Sequence, residues 1–570
     1  MGRLGIIFPL LIGGIWMLCV SCNRKKESVL PPQDIVTDIH EVPLAIKNQI
    51  ETILDNLSGN PRFVKGTKFS SFPVLNRIYS RNDFNPLWLD GLKIKPQSGI
   101  FQSYLKDAAY DGLFRNDYHY DSILTWRQNL EDTAKQHDAL LWAKYDMALT
   151  DGFLHVLQDL KQGRLQPDSL SMSYLPDENF PFFYQRMDSF FRGEKLDSIL
   201  FHLQPVFPGY DSLHLLLKDF VNTMDTQHYT YLNYPFGKGD EKDSLKFIKN
   251  LLARLGESGI KAVGQPDSLS LSTLLKSYQH QRGIQETGKL NTALINTLNL
   301  TDRIRFNRIA ITLDRYKIMP AEIPEQFILV NIPAFRLWVY DADTIAFSSR
   351  VICGKPATPT PFLSGAISQI ITLPTWTVPT SIIKKEIIPG MKRDPGYLKR
   401  KGLSLYNNKD EWIDPSTLNW EKYKNGIPYR VMQGSGNDNA LGVIKFNFFN
   451  PFDVYLHDTN QRYLFKKLMR ALSHGCVRVE QWEQLASFIA RNDSLKLASK
   501  DTLRYTRDSI NTWIEKKERH VIKVKNKLPL FIRYFSCVAQ NGKIHFFEDV
   551  YDDDKRLNEK YFQNRQLRIN

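Results

Sequence analysis

The spacing of apolar residues changes once along this chain, near residue 325, and this change limits the fold more than any other feature. Before it, apolar residues recur at helical spacing, most clearly Leu141, Tyr145, Leu149, Phe153 and Leu157, which marks one buried helix face. After it, segments such as 326–340 are rich in β-branched and aromatic residues, as strands are. The sequence therefore predicts a multidomain α+β protein, helical first and mostly β last.

The length of 570 residues leaves room for three or four domains. We expect a polar tether, a helical scaffold domain, a module of three short helices, a mostly-β domain, and a C-terminal helix and hairpin packed on that domain. Their predicted boundaries are 23–41, 42–240, 245–300, 325–500 and 501–570. The hairpin is predicted from Asn541-Gly542, a strong signal for a tight turn.

The charge of the chain bears on its partners. It has 75 basic and 61 acidic residues, for a formal net charge of +14, and a basic surface favours anionic partners. The two signs are interleaved, however, and no basic motif of the nucleic-acid-binding kinds is present. We therefore predict a mixed, solvated surface and no nucleic-acid partner.

The first 22 residues read as an export signal. Arg3 is followed by an apolar run from Leu4 to Val20, which is shorter than a comfortable membrane span. The run ends at Ser21-Cys22, a small residue before a cysteine, which resembles a bacterial lipobox. We expect lipidation of Cys22; an uncleaved anchor or ordinary cleavage nearby are the alternatives. All three place the folded part outside the cytoplasm, in the periplasm or cell envelope, and lipidation or an uncleaved anchor would also link its N-terminus to the membrane.

Three cysteines lie beyond this leader, far apart in sequence: Cys353, Cys476 and Cys537. Secreted disulfide scaffolds carry closely spaced sets instead. Cys353 and Cys537 lie in apolar strand-like runs, so we predict buried free thiols, with a bridge between them left open.

Cys476 lies in the sequence Ser-His-Gly-Cys-Val-Arg of residues 473–478. We predict a strand that ends at His457, a helix over about 461–472, then this motif and a second helix from about Gln481. A cysteine thiol has a pKa of about 8.5 and is mostly protonated at neutral pH. A nearby imidazole can take its proton. We therefore predict Cys476 as an exposed nucleophile activated by His457, the proton acceptor and donor.

Other residues of this stretch have predicted supporting roles. Main-chain N–H groups around Gly475 and Cys476 would form an oxyanion hole, with His474 on the same side. Asp458 or a main-chain carbonyl would orient His457. Zinc ligation by the histidines and the cysteine is the alternative. Zinc sites usually carry further ligands or a general base, and no HExxH or paired CxxC motif is present, so we expect no metal and no cofactor.

The HD…SHGCVRV arrangement resembles the active-site signature of the L,D-transpeptidase family. Surrounding segments are similar to the large, multidomain branch of that family over most of residues 75–555: ILVNIPAFRLWVY, SRVICGKPATPTPF, PTWTVPTSIIKKEIIPG, RDPGYL and NALGVIKFNFFNPFDVYLHDT. That branch also has a helical scaffold and a peptidoglycan-binding module. Residues 245–300 resemble the module through Leu255-Gly256, Tyr278-Gln279, Gly283-Ile284, Gly288-Lys289-Leu290 and Leu298-Asn299. A spacer bundle without ligand is the alternative.

The resemblance implies an enzyme that cuts the stem tetrapeptide of peptidoglycan after its third residue, releases D-alanine and forms a 3→3 cross-link to an acceptor stem. Cys476 would hold the acyl group, and carbapenem-type β-lactams would acylate it. Contacts to substrate would come from Arg478, Tyr455, Ser473 and Trp376. An insertion over about 384–436 would cap the cleft, unless it is only a surface excursion. An L,D-carboxypeptidase, or a cell-wall-binding scaffold lipoprotein without activity, are the alternatives.

Overall fold

The computed structural model describes residues 34–58, 63–64, 67–166, 180–233, 241–261, 267–282, 285–495, 505–565 and 567. The predicted leader, Cys22, most of the tether and Gly283-Ile284 lie outside these residues. Within the described part of the chain, no helix is long and apolar enough to cross a bilayer.

The N-terminal region is helical, as predicted. Its described helices are α1 (Val42–Ser58), α2 (Phe72–Arg81), α3 (Pro96–Lys106), α4 (Tyr120–Leu130), α5 (Ala139–Lys161), α6 (Phe180–Phe191), α7 (Leu196–Phe201) and α8 (Pro208–Thr223). Two short strand pairs lie between them, β1 (Phe63–Val64) with β2 (Thr67–Lys68) and β3 (Leu89–Asp90) with β4 (Lys93–Ile94). The core runs along α5, most of whose residues are buried. Asp138 caps α5 by accepting a hydrogen bond from the N–H of Leu141.

Three short helices follow, close to the predicted range: α9 (Glu241–Glu257), α10 (Ser268–Gln281) and α11 (Thr292–Asn299). They share an apolar core of their own, which includes Leu251, Leu255, Leu275, Tyr278 and Leu298. The three-helix prediction is therefore confirmed, and the first helix begins at Glu241, ahead of the expected boundary. The peptidoglycan-binding role of this module stays a prediction.

Helix α12 (Asp302–Lys317) belongs to none of the predicted domains. It is buried on all sides from Phe306 onward, because the scaffold lies against one face and the β domain against the other. The charges that it buries are paired. Arg164 Nε lies 2.8 Å from Asp314, and Arg315 donates to Asp554 at 2.5 Å.

The β domain is built on one large sheet. Its strands are β5 (Gln326–Asn331), β6 (Arg336–Asp341), β7 (Thr344–Gly354), β8 (Leu363–Thr372), β13 (Ile444–Phe448), β14 (Leu456–His457), β15 (Ala471–Ser473), β16 (Val477–Val479) and β17 (Val521–Arg533), in the order β15-β7-β16-β14-β13-β8-β17-β5-β6. The sheet closes on itself because β7 pairs with β6 through its first half and with β16 through its second. The enclosed core packs against α16 (Trp482–Leu495) and α17 (Arg507–Glu515).

The C-terminal region differs from its prediction. Strand β17 lies inside the large sheet, between β8 and β5, so this part completes the β domain and is no appendage to it. The predicted hairpin is present as β18 (Cys537–Gln540) and β19 (Lys543–Phe546), and both turn residues, Asn541 and Gly542, have positive φ. The hairpin packs with α8 and α12 in the core between the scaffold and the β domain. Helix α18 (Asp553–Leu557) follows.

The predicted capping insertion is a subdomain with its own core. It contains β9 (Trp376–Thr377), α13 (Thr380–Ile382), a π-helical turn (Ile383–Ile387), α14 (Ile388–Arg393), α15 (Tyr397–Arg400), β10 (Leu403–Tyr406), β11 (Trp412–Ile413) and β12 (Arg430–Gln433). Four strands pair in the order β11-β10-β12-β9 over a buried apolar cluster. We call this segment the cap; it begins at Trp376, earlier than predicted.

Candidate active site

The predicted catalytic residues lie on neighbouring parallel strands. β14 and β16 pair so that Leu456 faces Val477, and both are fully buried in the core of the sheet. Side chains alternate between the faces of a strand, so the residues flanking these two point away from the core. That outer face carries Tyr455, His457, Cys476 and Arg478. We call it the catalytic face.

Lys445 of β13 joins the catalytic face, because it pairs with His457 across the sheet. Its Nζ lies 3.7 Å from the centroid of the Tyr455 ring. Lys445 was not among the residues predicted from the sequence. The signal was present: Ile444 and Phe446 on either side are buried core residues, so a lysine between them must stand on the opposite face.

His457 is buried, with 4% of its surface exposed. Within the described residues its Nδ1 has no hydrogen-bond partner. Burial, together with the positive charges of Arg478 and Lys445, lowers the imidazole pKa to about 3. The ring is therefore neutral at physiological pH and free to accept a proton.

Cys476 is half-buried, and its Sγ lies 3.9 Å from the carbonyl oxygen of Asp453. Burial raises the thiol pKa, against the smaller opposite effects of hydrogen bonds from Tyr455 and of the charges on Lys445 and Arg478. The cysteine that the sequence predicted as exposed is half-buried, and its activation by His457 stays a prediction. Burial disfavours the thiolate of Cys476 and the imidazolium of His457.

The loop before the cysteine is braced by Ser473. Its hydroxyl donates to the carbonyl of Cys476 at 2.6 Å and accepts from the N–H of Gly475 at 3.2 Å. The Gly475 carbonyl in turn accepts from Thr360. Two predictions are corrected here. Ser473, which is 3% exposed, shapes the loop and does not face a substrate. The N–H of Gly475 is already bonded, whereas that of Cys476 donates no hydrogen bond to any described residue.

Gly475 has another role in this loop. Its φ is +123°, a backbone conformation that side-chain-bearing residues rarely adopt. The glycine therefore lets the chain turn so that Cys476 enters β16 on the catalytic face.

His474 does not point to the oxyanion position that we predicted. Its Nε2 lies 2.5 Å from Oε1 of Glu386 in the cap and 3.5 Å from Nζ of Lys355. Lys355 and Glu386 themselves lie 3.7 Å apart. The three side chains join the cap to the loop that carries the cysteine. Sequence alone could not find this contact, because Glu386 and His474 are 88 residues apart.

Asp458 does not orient His457 through its carboxylate. It accepts from the N–H of Val443 at 3.0 Å and from Arg462 at 2.9 Å. Gly442 makes room for this carboxylate, since a Cβ at that position would lie 2.2 Å from Asp458 Oδ2. The alternative, a main-chain carbonyl, stays a prediction: the carbonyls of Asp458 and Leu441 lie close enough to raise the pKa of His457 against the larger effect of burial, but its Nδ1 forms no hydrogen bond with a described residue.

The remaining predicted contacts lie around the thiol. Burial raises the pKa of the Tyr455 hydroxyl, and Trp376, at the start of the cap, lies close enough to lower it in part. Arg478 donates to Gln461 at 3.3 Å, while its buried Nε has no hydrogen-bond partner among the described residues. The cap therefore lies close to the catalytic face at Trp376 and contacts the loop before Cys476 through Glu386.

The other two described thiols differ from Cys476. Cys353 and Cys537 are fully buried and unbridged, as predicted, and burial raises the pKa of each to about 12. The segment predicted as a helix after His457 is instead a 3-10 turn, Arg462–Lys466, followed by β15. The helix predicted from about Gln481 is confirmed as α16. Among the described residues, no group of three His, Cys, Asp or Glu side chains is placed to hold a metal ion.

Comparisons with known proteins bear on this geometry. Residues 325–498 match the family model of the L,D-transpeptidase catalytic domain, and residues 73–217 match that of the scaffold domain. A protein of Haemophilus influenzae named "Putative L,D-transpeptidase" is 35% identical over 251 residues, which are 44% of this chain and 49% of that protein. The chain therefore spans about half the length of this curated relative.

A solved structure described as "Structure of the Ldtfm-avibactam carbamoyl enzyme" covers 57% of this chain and 99% of its own, at 10% identity and a TM-score of 0.16. So low a score carries no argument. The family models and the named relative together show that the chain carries an L,D-transpeptidase catalytic domain and a scaffold domain. The roles of the individual site residues stay predictions.

Proposed function

Because residues 325–498 form an L,D-transpeptidase catalytic domain, we propose that the protein is a peptidoglycan L,D-transpeptidase that works through a thioester on Cys476. It cuts a stem tetrapeptide after the third residue, releases D-alanine and joins the tripeptide acyl group to an amine of a second stem, which gives a 3→3 cross-link. One observation carries the proposal: Cys476 and His457 lie on the same face of the large sheet, and this face also presents Lys445 and Arg478.

The first half-reaction follows from these protonation states. His457 takes the proton of the Cys476 thiol as the sulfur attacks the carbonyl carbon of the third stem residue. Negative charge develops on the carbonyl oxygen, where the N–H of Cys476 can receive it. The imidazolium, disfavoured in this buried position, passes its proton to the nitrogen of D-alanine. The C–N bond breaks, and a thioester and free D-alanine remain.

The second half-reaction runs through the same groups in reverse. The acceptor amine attacks the thioester carbonyl, and His457 removes a proton from the amine. The C–S bond breaks, and the sulfur regains a proton from His457. The thiol and the imidazole are then neutral again, so no net proton is left on the enzyme.

Lys445 and Arg478 suit the terminal carboxylate of the donor. That carboxylate belongs to the leaving D-alanine, one residue beyond the attacked carbonyl. Arg478 lies two residues beyond Cys476 on the same face, about 7 Å along the strand. Within the described residues neither cation forms a salt bridge, and burial lowers the pKa of both side chains. A carboxylate bound here would be the negatively charged partner that Lys445 and Arg478 lack among the described residues.

The position of the cap supports an amine, and not water, as the acceptor of the acyl group. Trp376 lies close to Tyr455, and Glu386 contacts the loop before Cys476. A cap that covered bound substrate from this position would exclude water from a reactive thioester. We extend the proposal to location: the folded part acts in the periplasm or cell envelope, held by a lipid on Cys22. Carbapenem-type β-lactams would acylate Cys476, because their strained carbonyl can take the place of the stem carbonyl.

Incubation with a purified disaccharide-tetrapeptide tests the function. A dimer with loss of one D-alanine, seen by mass spectrometry, is the expected product. Disaccharide-tripeptide without dimer would replace this function with an L,D-carboxypeptidase. Unchanged substrate, with the protein retained on it, would indicate a binding protein with an inactive catalytic domain.

A further inference from the structure

A cavity of about 260 Å³ lies where four parts of the chain meet. Its walls come from α11, from α12, from the segment 546–558 at the end of the C-terminal hairpin and from Tyr231. It shares no residue with the catalytic face. The lining residues that matter here are Tyr231, Ala293, Phe546, Asp549, Asp552 and Asn558.

One buried group in the wall lacks a partner. Asn558 is 3% exposed, and its Oδ1 accepts from Asn307 Nδ2 at 2.7 Å. Its Nδ2 has no hydrogen-bond partner among the described residues. A buried donor left unpaired costs about 1–3 kcal/mol. A ligand oxygen in the cavity would satisfy this amide.

Hydrogen-bond acceptors dominate another wall. Asp549 accepts from the Tyr534 hydroxyl at 2.6 Å and the Lys555 N–H at 2.8 Å. Burial and the neighbouring Asp554 raise the pKa of Asp549 to about 6. Asp552 also lines this wall and is exposed. These carboxylates repel anions and can accept hydrogen bonds from hydroxyl groups.

Two arginine side chains near this wall are already paired with one carboxylate. Arg308 donates to Asp554 at 3.1 Å, and Arg315 donates to the same carboxylate at 2.5 Å. The charge of Asp554 is therefore balanced by these two arginines, and Asp549 and Asp552 remain as hydrogen-bond acceptors for a ligand in the cavity.

Aromatic rings complete the site. Phe546 and Tyr231 line the cavity and are half-buried, so each can offer apolar surface to C–H groups. The combination of an apolar face, carboxylate acceptors and an amide donor fits a sugar ring with hydroxyl groups and a carbonyl-bearing substituent. The volume is below the roughly 300–1,000 Å³ of pockets for drug-sized ligands, which suits one ring.

We propose that this cavity binds one N-acetylated sugar unit of a glycan strand. The Asn558 amide donates to the acetamido carbonyl, the two carboxylates accept from ring hydroxyls, and the aromatic side chains cover the C–H face. The inference rests on the proposed function in that the substrate polymer carries such sugars beside its stem peptides. A strand held here would keep its stems near the catalytic domain.

The test uses the full chain with Cys476→Ala, so that no turnover occurs, and a peptide-free tetramer of N-acetylglucosamine as the probe. Binding is followed by saturation-transfer NMR and titration calorimetry. Ala293→Phe places a ring in the cavity from an exposed position on α11. Ser277→Phe, on the exposed side of α10, is the matched control. Asn558→Asp keeps the contact with Asn307 but removes the donor.

We expect the Cys476→Ala protein to bind the tetramer, Ala293→Phe and Asn558→Asp to weaken binding at least tenfold, and Ser277→Phe to leave it unchanged. Absence of binding, equal binding by Ala293→Phe, or binding of Ca²⁺ in place of sugar would overturn the site. Carbapenem acylation of the unmodified protein separates the two proposals. Sugar binding that fails while acylation proceeds rejects only the glycan site; acylation that fails while sugar binds rejects only the enzyme.

Discussion

The catalytic face and the junction around α12 both bury charged side chains, but they treat the charges in opposite ways. At the junction, Arg308 and Arg315 share the carboxylate of Asp554. On the catalytic face, Lys445 and Arg478 form no salt bridge with any described residue. Buried ion pairs that are complete hold parts of the chain in place, whereas half-buried cations that form no salt bridge are where we propose that the donor carboxylate binds.

The largest expected effect concerns the base on the catalytic face. His457→Ala removes the proton acceptor next to a thiol that stays protonated, so we expect kcat/KM for the donor stem to fall about 10²- to 10⁴-fold. Steady-state release of D-alanine measures it. His545→Ala, at an exposed position of the hairpin, is the control and should behave as the unmodified protein. A loss of less than threefold in His457→Ala would show that another group takes the proton.

A substitution at the junction should lower the free energy of unfolding and leave the catalytic activity unchanged. Asp554→Asn leaves Arg308 and Arg315 buried without their carboxylate, which costs about 3–5 kcal/mol of unfolding free energy. Urea denaturation followed by tryptophan fluorescence measures it, with the exposed Asp343→Asn as control. Activity per folded molecule should be unchanged at low temperature. An Asp554→Asn protein as stable as the control would remove the contrast between the two regions.

Arg478→Gln should show the reverse behaviour. A charged hydrogen bond contributes about 1.5–3 kcal/mol, so kcat/KM for a tetrapeptide donor should fall about 10- to 100-fold without loss of stability. A donor whose terminal carboxylate is amidated should react equally slowly with both proteins. Arg336→Gln, an exposed arginine on β6, is the control. If the amidated donor also loses rate in Arg478→Gln, the residue does not bind that carboxylate.

The smallest effect is in the pH dependence. A His457 pKa lowered to about 3 means that the ring takes up a proton only well below pH 5. The rate should therefore stay level from pH 8 to pH 5, where an ordinary histidine would lose activity through its pKa of about 6.5. Removing the charge of Arg478 should raise the pKa of His457, so that the rate begins to fall at a higher pH as the solution is acidified. A loss of rate centred near pH 6.5 in the unmodified protein would contradict a lowered pKa for His457.

The sequence predicted some of the site well, and physical reasons separate these parts from the rest. The strand at His457, the glycine turn and Cys476 lie within 22 consecutive residues, so local patterns could predict them. Lys445 could have been found from strand alternation. The contact of Glu386 with His474 could not, because it depends on how the cap folds back over the sheet.

The burial of charged and titratable side chains also could not be predicted from the sequence. Helix α12 carries charged and apolar residues on all of its faces, a pattern that is typical of an exposed helix. It can be buried because its charged side chains pair with residues from distant segments, such as Arg164 and Asp554. The same applies to the thiol. The motif indicated a reactive cysteine, but whether its resting form is a thiol or a thiolate depends on desolvation, which arises only when β13, β14, β16 and the cap assemble.

The acyl-enzyme itself is the most direct test of the account. Intact-mass spectrometry of the protein after brief incubation with a carbapenem, then peptide mapping, should show one stoichiometric adduct on Cys476 and none on the fully buried Cys353 and Cys537. Cys476→Ala should show no adduct and release no D-alanine from the tetrapeptide. An adduct on either buried cysteine, or D-alanine release that survives in Cys476→Ala, would contradict catalysis through this thiol.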